Sequence, residues 1–147
     1  MSNNMEIRPA KASDLETAKS WLSSAGLPNE DLTTKHLSDF LIAEIDGVPV
    51  GIIGLEKTGS VGLLRSLVVD PGARSGGVGA HLVSGLEGLA RKHGVIELWL
   101  LTIDADRYFT KLRYEQRGRS EAPDEIQRTQ EFSSLCPGDA VLMSKQL

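Results

Sequence analysis

Apolar positions recur along this chain with two different periods. Leu15, Ala18, Leu22 and Ala25 return at helical spacing, the pattern of a helix with one buried face. Ser13 precedes the run and Glu16 stands three residues further on, which predicts a capping box, with Gly26 as the stop. Residues 5–8 read as a short first strand and 28–37 as a second helix. Two β-rich runs, 40–45 and 48–55, flank Asp46-Gly47. That dipeptide predicts a two-residue hairpin, because glycine accepts the positive φ of a primed turn. Gly59 marks another turn, and 61–69 reads as a strand whose apolar end suits burial on both faces. The clearest helix is 77–93, with Leu82, Leu86, Leu89 and Ala90 on one face and Gly94 as its stop. Gly85 and Gly88 within it each cost about 1 kcal/mol against alanine, which close packing on the sheet would offset. Residues 95–102 read as a strand, 104–112 as a short helix, 114–119 as a strand, 123–135 as a helix and 140–145 as a last strand. Antiparallel strands first and a strand–helix–strand unit later predict a mixed α/β domain.

The 147 residues suit one domain spanning the chain, 1–147. Sixteen Lys and Arg against twenty Asp and Glu give a net charge of −4, which argues against a broad nucleic-acid footprint. Arg107, Lys111, Arg113, Arg117 and Arg119 crowd one short segment; they form either a solvated face or a local site for phosphates. Cys136 is the single cysteine, so no internal disulfide is expected. No His, Cys or carboxylate cluster has metal-ligand spacing. No leader and no apolar run of about 18 residues is evident, so a cytoplasmic location and no membrane partner are expected.

The segment richest in chemistry is Leu67-Val68-Val69-Asp70-Pro71 followed by Arg74-Ser75-Gly76-Gly77-Val78-Gly79. A buried strand ends, a glycine-rich loop turns and a long helix begins. Several backbone N–H groups then converge in front of a helix N-terminus, a natural anion site. A P-loop would need Gly-Lys-Ser/Thr, and no Lys stands in place. A dinucleotide fingerprint would need a glycine where Leu82 stands. A glycine-rich turn without a ligand is the remaining alternative.

Arg74, Gly77 and Gly79 fill Arg/Gln-x-x-Gly-x-Gly/Ala between a strand and a helix. About thirty residues later come Ala105, Tyr108-Phe109 and Lys111-Leu112-Arg113-Tyr114. In both motifs the chain resembles the GNAT superfamily of N-acetyltransferases. The resemblance implies a twisted, mostly antiparallel sheet, splayed at its centre, with helices on both faces. It implies acetyl-CoA as donor, with its pyrophosphate on the amides of Arg74, Ser75, Gly76, Gly77, Val78, Gly79 and Ala80. The pantetheine arm would pair with Leu67, Val68 and Val69 like an added strand, and Phe109 would belong to the cofactor site. The splay would lie between 61–69 and the strand ending at Thr102. The basic cluster is a further candidate for the outer phosphates.

Acetyl transfer needs an unprotonated amine, a polarised thioester carbonyl and a proton for the departing thiolate. The resemblance assigns the polarising N–H to Val69 or its neighbour Val68. Relatives often carry a Glu base on the preceding strand, where this chain has Leu63 and Arg65. Relatives often have Tyr as acid at the second aromatic position, where this chain has Phe109, with Tyr108 one residue earlier. One residue on a helix turns a side chain by about 100°, so Tyr108 is either the acid or a packing residue. Tyr114 reads as core. Arg65, in an otherwise apolar strand, either pairs with an internal acid or offers its fork to a substrate carboxylate. Ser66 and Thr102 are candidate substrate neighbours or satisfied strand residues. Cys136 as a nucleophile, and His36, His81 and His93 as its partners, are disfavoured. Leu64-Arg65-Ser66-Leu67-Val68-Val69 and the run 131–137 add a narrower resemblance to arsenic-resistance N-acetyltransferases, in which Phe also tends to replace the Tyr. Arg113 departs from the Gly usual there. The expected substrate is a small, amino-acid-like amine and no nucleic acid. The rivals are a protein N-acetyltransferase and a non-catalytic acyl-CoA sensor.

Overall fold

The computed structural model describes residues 5–26, 29–30, 32–129, 132 and 140–147, with residues 74–76 described by backbone alone. Seven strands form one sheet: β1 (Met5–Pro9), β2 (Phe40–Ile45), β3 (Val48–Lys57), β4 (Val61–Val69), β5 (Glu97–Thr102), β6 (Glu115–Arg117) and β7 (Val141–Gln146). The helices are α1 (Leu15–Ser24), α2 (Val78–Lys92), α3 (Asp106–Lys111) and α4 (Asp124–Gln127). Strand order is β1-β2-β3-β4-β5-β7-β6. Only β4 and β5 run parallel; the other neighbours are antiparallel.

Alternation along each strand sends side chains to two cores. On one face, α2 lays Leu82, Val83, Leu86 and Ala90 onto Leu41, Ile53, Leu64, Leu98 and Leu100. Each such leucine, fully buried, contributes about 1.5–3 kcal/mol. On the other face, Ala18 and Leu22 of α1 pack on Phe40, Ile42 and Ile52. Ile126 of α4 packs there on Leu63, Trp99 and Leu142. Helices therefore cover both faces of a mostly antiparallel sheet, as expected. The β2–β3 hairpin turns through Asp46 (φ 52°) and Gly47 (φ 82°), the paired positive φ of a primed turn.

Several expected elements differ. Ser13 is not the cap: residues Ala12–Asp14 form a 3₁₀ turn, and the Asp14 carboxylate accepts from Lys11 N–H at 2.7 Å. Arg8 holds that carboxylate at 3.0 Å and keeps it below the usual aspartate range. The helix expected over 28–37 is absent among the described residues; a 3₁₀ turn, His36–Asp39, stands at its end. Thr33 N–H donates to His36 Nδ1 at 3.2 Å, a side-chain partner that competes with helical pairing. Of the run 123–135, residues Asp124–Gln127 form α4, and the Thr129 hydroxyl donates to Ile126 O at 2.7 Å just beyond it. Residues 130–131 and 133–139, Cys136 among them, lie outside the described residues. The strand over 114–119 keeps only Glu115–Arg117, because Tyr114 N–H donates to Phe109 O at 3.0 Å and so belongs to the end of α3.

Candidate active site

The parallel joint in the sheet is short. Val61 pairs with Glu97, Gly62 with Leu98 and Leu63 with Trp99, and there the pairing ends. Both strands continue, β4 to Val69 and β5 to Thr102, so a gap opens between them where the sequence resemblance puts a splay. Along its other edge β4 carries a bulge: Ile52 faces Val68 but Gly54 faces Arg65. Two steps on β3 match three on β4, and Ser66, inside the extra step, has φ 64°. Beyond the bulge Asp70 N–H donates to Val50 O at 2.7 Å. Strand alternation then turns the Val69 N–H away from β3, toward the gap.

At the head of the gap the chain makes a 3₁₀ turn, Pro71–Gly76, then passes through Gly77 (φ 76°, ψ 13°) into α2. The backbone of Arg74, Ser75 and Gly76 lies in that turn. Val78 buries its side chain in the core, while Gly79 and Ala80 are half-buried in the first turn of α2. Among the described side chains a Cβ at Gly77 would meet the His81 ring, at 3.8 Å. At Gly79 a Cβ would run into the Tyr108 hydroxyl, with Val69 Cγ2 at 3.7 Å. Glycine at this position leaves room for Tyr108. The end of β4, the first turn of α2 and Tyr108 thus meet at one point.

α3 carries Tyr108 to that point. The Thr102 hydroxyl accepts from Ala105 N–H at 3.0 Å, which turns the chain from β5 into α3 and commits Thr102 to a local bond. Tyr108 is 38% exposed, and burial of its remainder pushes the phenol above its ordinary value. Phe109, expected at the cofactor, is 5% exposed and belongs to the core. Its ring stands edge-to-face between Tyr108 and Tyr114, at 5.4 and 5.6 Å, because the adjacent position on α3 points inward. Arg113 takes φ 76° after α3, the left-handed cap position that glycine fills most easily.

The structure also brings together groups that sequence reasoning missed. The Tyr114 hydroxyl donates to Glu87 at 3.0 Å, and Lys145 Nζ donates to the same oxygen at 2.8 Å and to Leu112 O at 3.1 Å. This knot ties α2 to β7 and to the end of α3, and burial drives the Tyr114 phenol far up. The available signal was spacing: Glu87 follows Val83 by four residues on the inward face. Arg65 follows the internal-acid alternative. Its Nη1 lies 2.6 Å from Glu56 Oε1, and its side chain exposes no surface. Its Nε donates to the Ser66 hydroxyl at 3.0 Å. A direct grip on a substrate carboxylate is therefore not what Arg65 presents.

The basic cluster divides. Arg107, Lys111 and Arg113 are exposed around α3, whereas Arg117 donates to Ser144 and Arg119 stacks on Phe132 at 5.1 Å. His81 Nδ1 lies 2.8 Å from Gly77 O, His36 bonds Thr33, and His93 stands 3.9 Å from Asp39. Among the described residues no group of His, Cys, Asp and Glu is arranged for a metal, and no helix is long and apolar enough to cross a membrane.

A sheet split between β4 and β5, with a helix N-terminus at the mouth, is the architecture of one acyltransferase class. The sequence profile of the acetyltransferase (GNAT) family matches residues 7–118, and the chain belongs to that family. Among its relatives is an uncharacterised N-acetyltransferase of Chlorobaculum tepidum, 28% identical over 64% of this chain and 61% of that protein. An amino-acid acetyltransferase of Neisseria meningitidis is 29% identical over 60% of this chain and 21% of its own length. In fold the chain resembles N-acetylglutamate synthase from Neisseria gonorrhoeae, solved with coenzyme A and N-acetyl-glutamate, with a TM-score of 0.85. That match has 21% identity and covers 100% of this chain and 36% of the synthase. The Mycobacterium tuberculosis protein Rv2747, solved with CoA, gives 0.83 at 22% identity over 97% and 99% of the two chains. The chain thus spans less than two thirds of the first three of these relatives.

Proposed function

We propose that this chain is an acetyl-CoA-dependent N-acetyltransferase that passes the acetyl group directly to a small, amino-acid-like amine. The observation that carries this is the gap between β4 and β5, with Val69 N–H turned into it and the first turn of α2 at its head. The first-turn amides of α2, which have no acceptor within the helix, suit a diphosphate. Bound acetyl-CoA supplies an activated acetyl thioester. The amides of Gly77, Val78, Gly79 and Ala80 hold the phosphates, with Arg74, Ser75 and Gly76 leading into them. The edge of β4 at Leu67, Val68 and Val69 pairs with the amide-bearing arm. Val69 N–H donates to the carbonyl oxygen as negative charge grows there. Tyr108, kept protonated by burial, gives its proton to the leaving sulfur. Leu63 and Arg65 offer no base on β4, so the acceptor reacts as its free amine; the proton it sheds on forming the amide passes to solvent, from which the Tyr108 phenolate is reprotonated.

An amino-acid-like acceptor is supported by likeness to the amino-acid acetyltransferases. The narrower proposal, an arsenical amino acid or similar toxic amine, rests on the resemblance of residues 64–69 and 131–137 and on Phe109. A single cysteine suits a reducing cytoplasm. The test is an acetylation screen read by mass spectrometry over amino acids, aminophosphonates, organoarsenical amino acids and protein N-termini. Acetylation of free amino acids with release of CoA is expected. Tight CoA binding without turnover of any amine would replace the enzyme with a sensor, and modification of polypeptides alone would redirect the acceptor.

A further inference from the structure

We propose that Glu56, Arg65 and Ser66 form a latch that holds the β4 bulge, making Arg65 a positioning residue for the donor site. The proposal rests on the acetyl-CoA reading above and extends it to residues outside the gap. Arg65 is among the largest fully buried side chains of the described residues. It lies opposite Gly54, where a Cβ would overlap the Phe40 ring, so its face of the sheet is apolar. An ion pair in such a place is a poor source of stability compared with well-packed apolar residues. Its geometry is specific instead. Glu56 takes Nη1 at 2.6 Å and aims the guanidinium, and Nε then donates to the Ser66 hydroxyl at 3.0 Å.

Ser66 sits at φ 64°, a conformation unfavourable for a residue with a Cβ, and the bond from Arg65 holds it there. The consequence follows from register. Without the extra residue, Gly54 opposite Arg65 would place Ile52 opposite Leu67 and Val50 opposite Val69. Val69 would then donate to β3 in the place Asp70 occupies now, and its N–H would face away from the gap. The latch therefore decides which amide of β4 meets the thioester.

The test compares Arg65→Met, Ser66→Gly and the double variant, with CoA affinity read by calorimetry and acceptor KM by steady-state kinetics. Arg65→Met should weaken CoA binding about tenfold, equivalent to about 1.4 kcal/mol. Ser66→Gly alone should change it by less than about twofold, since glycine adopts positive φ without help. The double variant should recover to within about threefold of the parent, because glycine keeps the bulge without the guanidinium. A raised acceptor KM with unchanged CoA affinity in Arg65→Met would make Arg65 a substrate contact and overturn the latch. So would a double variant no better than Arg65→Met. If Arg65→Met does not fold, Arg65→Lys keeps a cation for Glu56 but loses the Nε donor, and it is compared with and without Ser66→Gly in the same way. A parent protein that binds no CoA sinks the donor reading alone. The latch is then read from melting temperatures, where Ser66→Gly should raise that of Arg65→Lys more than that of the parent, and equal shifts would refute it.

Discussion

Tyr108 decides more than its place in the sequence suggests. The acid position of relatives is one residue later, and helix geometry alone left Tyr108 open between acid and packing. The structure sends Phe109 inward and Tyr108 to the first turn of α2, over Gly79. Replacing Tyr108 with Phe should lower kcat by about a hundredfold while leaving the KM for acetyl-CoA near its parent value. Because burial raises the phenol pKa, the protonated acid persists through neutral pH, and its loss appears only as an alkaline limb above the ordinary tyrosine range. A pH–rate profile checks this; an unchanged alkaline limb in the Phe variant would remove Tyr108 from the chemistry. Gly79→Ala should weaken CoA binding by crowding the same hydroxyl, and less so in the Tyr108→Phe background, where that oxygen is gone. A double-mutant cycle measures the difference. Arg113 is a matter of backbone alone: at φ 76°, Arg113→Gly should stabilise the fold by about 0.5–1 kcal/mol, read by thermal melting.

Elements were legible where periodicity or turn chemistry was strong. The runs of β2, β3, β4 and α2 and the Asp46-Gly47 hairpin stand within a residue or two of their expected positions, because alternation, helical spacing and positive-φ residues act locally. The misjudged elements are those where side chains compete for backbone partners. The Asp14 carboxylate took the Lys11 amide ahead of α1, His36 took the Thr33 amide, and the Thr129 hydroxyl took the Ile126 carbonyl at the end of α4. The two glycines of α2 separate on packing. At Gly85 a Cβ would lie 3.3 Å from Leu41, whereas at Gly88 it would meet nothing within 4 Å. Gly88→Ala should therefore raise stability by about 1 kcal/mol, and Gly85→Ala should not; denaturant midpoints distinguish them. For the site, the loop 74–80 and the edge of β4 could be read from glycine spacing and a strand end. The Glu56–Arg65 pair and the Glu87 knot could not, since the first depends on a bulge in the β3–β4 register that no local pattern reveals and the second joins residues far apart in sequence.

At the scale of the molecule, α2 bears the loop and α3 bears Tyr108, and Glu87 with Tyr114 and Lys145 ties them across β7. Lys145→Met would leave Glu87 buried without its cation and should cost about 2–3 kcal/mol. Adding Glu87→Gln should recover part of that loss; strict additivity in urea unfolding would show that the knot is only a set of separate contacts. The sheet itself has a longer-range property. Among the described residues its two portions, β1–β4 and β5–β7–β6, are stitched along a short seam, where Val61, Gly62 and Leu63 pair with β5 and Ile96 N–H donates to Ser60 O at 2.8 Å. Those residues behave as the spine of a half-open book. A small tilt at the spine is levered into a larger change in aperture at the far end of β4. Bulk introduced at Gly62, where a Cβ would meet Leu55 at 2.9 Å and Val95 at 3.3 Å, would act far from any reacting atom and still change how wide an acyl chain the opening admits.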